Sequence, residues 1–366
     1  MSVMAFHVQA ICLYHFGVNN RPGDAPTDVV FKLFEAGHFG VQLFFTISGF
    51  VLAIPFAREK LCGGSPVSLP AYYLRRVTRL EPPYIVHLVF LLLLTWLVLR
   101  KQPTHPELYQ NPAWANLALK HLLPSLFYSH GFVFGEYPYP NLILWSLEVE
   151  VQFYVLAPFL STFFLVSNKQ WRRGLLVVAI IAASLLIYVV PKEFVSRIML
   201  LGNLQFFLGG FLLADVYLTD SLAAVTTANR QSMIWDALFL LGCGGVILVH
   251  LFPSLMVILP WLMFVCCIAA FKGWISSAFL GNPLIITIGG MCYTIYMYHW
   301  LMISGVIRLT KGFQTHVLWW DLIVQLALIS AIILPICALI FLFFERPFMQ
   351  RDWHVKFLAA VHKRKS

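Results

Sequence analysis

The sequence predicts an all-α, polytopic membrane protein with about ten transmembrane helices in one continuous membrane domain. Three observations predict it. The first is composition: 60% of the 366 residues are hydrophobic and 11% are charged, with a mean hydropathy of +0.80. Soluble domains carry about a quarter of their residues as charges. The second is the arrangement of the apolar residues, which fall into long blocks where a soluble amphipathic helix would show a stripe. The third is the placement of the basic residues. With ten spans and a cytoplasmic N-terminus, sixteen of the 25 lysines and arginines fall on the cytoplasmic side. That bias follows the positive-inside rule and places both termini in the cytoplasm.

The blocks lie near 1–17, 38–57, 84–100, 143–166, 174–190, 197–217, 234–251, 254–271, 283–307 and 322–344. Each approaches the roughly 20 residues a helix needs to cross the hydrocarbon core. None shows the period-two alternation of a barrel strand. Helices are the other structure that satisfies its backbone in lipid. The first block has no cleavage pattern and reads as a retained span.

Two breaks stand out. Residues 100–141 form the longest, rich in Pro, His and Tyr, on the outer side of this topology. Leu61–Leu80 reads as a second loop, in which Gly63-Gly64-Ser65-Pro66 leads into an arginine-rich segment. Residues 1–350 read as the membrane domain and 351–366 as a basic cytoplasmic tail. The tail's lysines suit an anchor at anionic lipid, so no nucleic-acid partner is expected. Seven cysteines, six of them in apolar blocks, give neither a disulfide framework nor zinc spacing. No metal is expected.

Ionisable groups inside a bilayer are costly and are functional candidates by default. The first block carries His7 and His15; the fourth carries Trp145, Ser146, Glu148, Glu150, Gln152 and Tyr154; the ninth carries Tyr293, Tyr296, Tyr298 and His299. Glu150 and Tyr154, four apart, share a helix face. Counted from Pro283 along a straight helix, His299 lies roughly 24 Å in. His15, Glu150 and His299 are therefore expected at similar depth, where a histidine with a carboxylate partner can act as a general base. Single histidines also serve as plain interhelical hydrogen-bonding groups, and His299 could belong to an interfacial aromatic belt with Trp300. Arg76 and Arg79, three apart, would face one way on a helix and suit bidentate phosphate binding, or they are topology anchors. The small residues of Gly40–Phe50 read as helix packing.

Taken in order, these segments resemble the acyltransferase-3 family of membrane-bound acyltransferases. The matching residues are His15, the Gly40–Phe50 segment, Arg76-x-x-Arg79 before Pro82, and Trp145-Ser146-Leu147-x-x-Glu150-x-x-Phe153-Tyr154. They continue with Phe206-Phe207-Leu208-Gly209, Tyr293-x-x-Tyr296-x-x-His299-Trp300 and Glu345-Arg346-Pro347-Phe348. The sequence departs from the family where an arginine usually stands eleven positions before the first-span histidine; Met4 occupies that place. The family's Glu pair after Trp-Ser-Leu is also reduced, so that only Glu150 carries over.

The resemblance implies a membrane O-acyltransferase in the plasma (inner) membrane. It implies acyl-CoA, acetyl-CoA in the usual case, as donor and a carbohydrate or glycolipid hydroxyl as acceptor. His15 and Glu150 are the expected catalytic residues. Arg76 and Arg79 are expected on the CoA phosphates, and Trp145, Tyr154 and His299 on the substrates. The rival readings are a transporter using His15 and Glu150 as a proton relay, and a membrane scaffold. A transporter would show inverted repeats and helices broken near the midplane, and the sequence shows neither.

Overall fold

The computed structural model describes residues 2–16, 29–101, 113–138, 141–191, 198–220, 232–313 and 318–349, and every regular element among them is helical. Seven helices are long and apolar enough to span a membrane: 32–62, 69–94, 142–165, 169–189, 233–251, 253–272 and 320–349. A bent helix pair, 283–290 with 292–310, makes an eighth if taken as one span, and two shorter apolar helices cover 2–12 and 204–219. The expected blocks reappear in order, with seven or eight reaching full span length where about ten were expected.

Helix α1 (Ser2–Phe16) is followed by the short α2 (Val29–Glu35) and by α3 (Gly40–Cys62). Gly63, at φ +66°, ends α3 by turning its N–H back to the Arg58 carbonyl, a left-handed cap that glycine adopts without strain. Only residues 63–68 then lack helix, because α4 starts at Leu69 and runs unbroken to Lys101. The expected loop Leu61–Leu80 is thus mostly helix. Pro70 sits in the first turn, where its missing N–H costs nothing, and the arginine segment forms the first turns of a 33-residue rod. One face of that rod exposes Val86, Val89, Phe90, Leu93, Trp96 and Leu97 at helical spacing, while Tyr84, His87, Leu88 and Leu91 are buried opposite. The exposed stripe is lipid-facing surface.

Within the long break of residues 100–141, the described residues form α5 (Ala113–Leu126) and α6 (His130–Phe134). Tyr84 donates to the Ser125 carbonyl (2.9 Å), Gln152 to the Tyr128 carbonyl (3.0 Å), and the Gly131 N–H to Glu148 (3.1 Å). These bonds hold the pair against α4 and α7 (Trp145–Leu160).

Helices α8 (Lys169–Val189) and α9 (Leu204–Thr219) are joined by a buried cluster in which Arg172 and Arg173 both pair with Asp215. These two arginines, read from the sequence as topology signals, also close an interhelical ion pair. Helix α9 crosses α3 with backbones in contact: a Cβ on Gly49 would overlap the Phe207 backbone, and one on Gly210 would overlap Thr46 and Phe50. Small residues let helices approach this closely.

Helices α10 (Met233–Leu251), α11 (Leu259–Lys272) and α12 (Trp274–Leu280) follow. The ninth block then departs from a straight rod. Helix α13 (Pro283–Gly290) and α14 (Cys292–Thr310) meet at a 73° bend after Gly289-Gly290. The straight-helix depth expected for His299 therefore does not apply, and the broken span absent from the sequence reading is present. Helix α15 (Leu318–Ile340) runs on through a π turn to Glu345. Residues 350–366, including the expected basic tail, lie outside the described residues.

Candidate active site

The Trp-Ser-Leu motif opens α7 after a single 3-10 turn at Leu142–Leu144. Helical spacing stacks Ser146, Glu150 and Tyr154 on one face. Ser146 donates to the Tyr296 hydroxyl at 2.6 Å, which ties α7 to α14. Glu150, only 6% exposed, accepts from the Tyr154 hydroxyl at 2.5 Å and from the Ser48 hydroxyl of α3 at 3.0 Å. Ser48 lies in the segment read from sequence as packing, so that segment supplies a site contact as well.

Arg76 and Arg79 face the same place from α4. The Arg76 guanidinium stands 5.6 Å from the ring centroids of both Tyr72 and Tyr154. Both arginines act electrostatically on Glu150, and Arg79 also acts on Glu345. Among the described residues neither arginine makes an ion pair within 4.0 Å, and the buried Nε of Arg76 has no partner. Tyr72 and Tyr73 donate to the Tyr154 and Val155 carbonyls at 3.2 and 3.3 Å, latching the start of α4 to α7. Arg76 is thus held by the Tyr72 and Tyr154 rings, and among the described residues neither arginine is neutralised by a close carboxylate.

Glu345 is fully buried and accepts from Thr294 of α14 at 2.5 Å, leaving its second oxygen unpartnered. From sequence it was a matched residue without a role. Its place beside Arg79 makes it a second carboxylate of the arginine region.

His299, 2% exposed, donates through Nδ1–H to the Ile295 and Tyr296 carbonyls at 3.1 and 2.7 Å. Carbonyls can only accept, so Nδ1 carries the proton and Nε2 carries the lone pair. That Nε2 is buried and has no partner. Ring centroids place His7 of α1 5.2 Å from His299 and 5.0 Å from Trp300.

Two cavities meet here. A small one of about 160 Å³ is lined by Met4, Ser146, Glu150, Tyr293, Tyr296 and His299, among others. A larger one of about 610 Å³ is lined by His7, His38, Trp145, Asn203, Gln205 and Trp300, among others. Val3 and Val41 line both. Glu150 and His299 share one cavity, with Tyr154 behind Glu150. Trp145 turns to the larger cavity.

The side chain of His15 lies outside the described residues. On the α1 backbone His15 is eleven residues beyond Met4, about 16 Å along the axis. The described histidine next to His299 is His7, which sequence reasoning noted and left without a role. Met4, standing where the resembling family has arginine, lines the small cavity with Glu150. Glu150 draws its polar support from Tyr154, Ser48 and the two α4 arginines instead. Among the described residues no group of three or more His, Cys, Asp or Glu is arranged for a metal ion.

A family model described as an acyltransferase domain matches residues 2–342. A provisionally named O-acetyltransferase of Staphylococcus aureus is 25% identical over 307 residues, covering 74% of this chain and 46% of that protein. The peptidoglycan O-acetyltransferase OatA of Listeria monocytogenes is 25% identical over 330 residues, covering 81% of this chain and 49% of its own length. The chain spans about half the length of these curated relatives. No solved structure gives a match. The chain belongs to the acyltransferase domain family.

Proposed function

We propose that this family member is a membrane-bound O-acyltransferase that carries an acyl group, acetyl in the simplest case, from acyl-CoA to a hydroxyl of a cell-surface carbohydrate or glycolipid. The observation that carries the reading is the sequence of groups through the bundle. Arg76 and Arg79 come first, then Glu150 with Tyr154, then the small cavity, then His299, then the large cavity. The unpartnered guanidinium region suits the phosphates of CoA.

In the reaction a base removes the acceptor's hydroxyl proton. The oxygen attacks the thioester carbonyl, the C–S bond breaks, and the departing thiolate takes up a proton to leave as the free thiol. His15 is the proposed base, on the helix that walls both cavities. Glu150, kept polar by Tyr154 and Ser48, holds the field of the arginine pair at the thioester end. The positive-inside bias, counted on ten spans, supports a plasma-membrane protein with the arginine end and both termini on the cytoplasmic side. The names of the two relatives support an acetyl donor and a cell-envelope hydroxyl acceptor.

The 73° break at α13–α14 is the one observation that favours a transporter. Labelled acetyl-CoA supplied to detergent-purified protein separates the two: an enzyme transfers or hydrolyses the acetyl group without a membrane, and a transporter leaves it on CoA. His15→Gln should still be monodisperse and should lose transfer by about 10²–10⁴-fold, the usual contribution of a positioned base. Near-normal transfer in that variant would move the base to His299, whose Nε2 is open.

A further inference from the structure

We infer that the small cavity is the acyl pocket of the donor and that it selects a short apolar chain longer than acetyl, of about four to six carbons. The inference rests on the O-acyltransferase reading above and deepens it by naming the acyl group.

The cavity holds about 160 Å³. An apolar cavity of about 150 Å³ is large enough to bind benzene, a six-carbon ligand. An acetyl group brings a single methyl beyond its carbonyl and leaves most of this space empty. Lining atoms that face empty space forfeit their packing contacts, so a longer chain gains binding that acetyl does not.

The lining divides by helix. Val3 and Met4 of α1, with Val41 and Phe44 of α3, supply aliphatic, thioether and aromatic surface. Helices α7 and α14 supply the polar lining, Glu150 and Tyr296 among it. Glu150 is also the group on which Arg76 and Arg79 act, so the polar lining adjoins the region assigned to the CoA phosphates. A donor held there by its phosphates turns its thioester to α7 and α14 and its acyl chain to α1 and α3.

Met4 sets the character of the pocket. It is 3% exposed and stands where the resembling family has arginine. An arginine here would take up part of the space with a longer side chain, whose charge resists burial beside hydrocarbon. Methionine keeps this wall apolar, and its unbranched thioether adapts to chains of different shape. Acetyl-CoA remains a substrate that fills the pocket only in part.

The experiment supplies purified full-length protein with acetyl-, butyryl-, hexanoyl- or decanoyl-CoA and follows release of the CoA thiol. Deacylated saccharides from the envelope of the cell that natively carries the chain serve as acceptor. Each methylene buried should raise kcat/KM about fourfold. Butyryl-CoA is therefore expected to exceed acetyl-CoA roughly fifteenfold, and decanoyl-CoA, too long for the cavity, should fall below hexanoyl-CoA. Met4→Arg and Val3→Phe both fill the pocket and should bring the butyryl-to-acetyl ratio down to about one or less. The ratio does not depend on how much of a variant is folded. A wild-type ratio of one or below, with acetyl-CoA consumed, overturns the inference and leaves the acyl-CoA reading standing. An unchanged ratio in both monodisperse variants also overturns it. So do rates that keep rising to decanoyl-CoA, because the chain then lies outside the cavity. Release of CoA from none of the donors overturns the O-acyltransferase reading itself.

Discussion

Arg76 offers the most direct test of the donor end. Its guanidinium lies between the rings of Tyr72 and Tyr154, 5.6 Å from each centroid, and its Nε is buried without a partner. The two ring contacts, each worth about 0.5–1 kcal/mol at exposed sites, are made without substrate. Losing them should lower stability and leave the donor KM alone. A contact to a CoA phosphate exists only in the complex and is worth about 1.5–3 kcal/mol as a charge-assisted hydrogen bond. At 1.36 kcal/mol per decade, Arg76→Gln should raise the apparent acetyl-CoA KM roughly ten- to a hundredfold. Arg76→Lys keeps the charge but loses the planar fork, and should fall between the two. The assay is initial-rate transfer from labelled acetyl-CoA by monodisperse protein, with donor varied at fixed acceptor. Raising ionic strength should weaken donor binding in the wild type and should do so less in the variants. If the Arg76→Gln/Arg79→Gln double variant folds and keeps its donor KM within about twofold, the arginines are topology anchors and the donor site lies elsewhere.

Two other outcomes follow from the packing. Gly210→Ala should cost at least about 1–3 kcal/mol, because its Cβ meets backbone atoms of Thr46 and Phe50 that cannot rotate away; an unchanged thermal midpoint in detergent would show that α3 and α9 are not so close. In the outer segment, the His130 Nδ1–H donates to the Glu136 carbonyl at 3.2 Å, so its Nε2 accepts from the His121 Nδ1–H at 2.5 Å. Burial holds both imidazoles below the ordinary histidine value of about 6.5, opposed in each by Glu136. The folded state therefore favours the neutral pair, and the stability it contributes is complete above that ordinary value and lost as the pH falls below it. The protection factors of the α5–α6 amides, corrected for the intrinsic pH dependence of exchange, should fall between pH 7.5 and pH 5 in the wild type. An equal fall in His130→Gln would show that the pair is not responsible.

The sequence carried what depends on single helices. Block length and composition gave the spans, the four-residue spacing gave the shared face of Glu150 and Tyr154, and the three-residue spacing gave a common direction to Arg76 and Arg79. What it could not carry depends on pairs of helices. Ser48 and Glu150 are 102 residues apart, and Thr294 and Glu345 are 51 apart; no local pattern distinguishes either serine or threonine from an ordinary packing residue. The bend at Gly289-Gly290 was visible as composition, but a glycine pair in an apolar block reads equally well as close packing. Arg172 and Arg173 count among the cytoplasmic charges of the ten-span reading, and they show a further limit. Their charge count suited a topology rule, while their detailed role is set by Asp215, more than forty residues away.

The completeness of each buried polar group separates scaffold from site. Asp215 has both oxygens engaged by two arginines, and Asp236 takes the three N–H groups of Trp274, Ile275 and Ser276. Groups of this kind are finished by the fold, and nothing further can bind them without breaking a helix contact. Arg76 Nε, the second oxygen of Glu345, His299 Nε2 and Gln205 Oε1 are buried with a valence left open. Such atoms are uncommon in folded proteins, and they are not confined to this site: His87 Nδ1 on α4, Ser125 Oγ on α5, and Glu148 Oε1 and Gln152 Oε1 on α7 are in the same state. An open valence therefore marks a site only where a cavity adjoins it. His299 meets that condition through its residue's place in the small cavity with Glu150, and in the proposed reaction that is where a proton is moved.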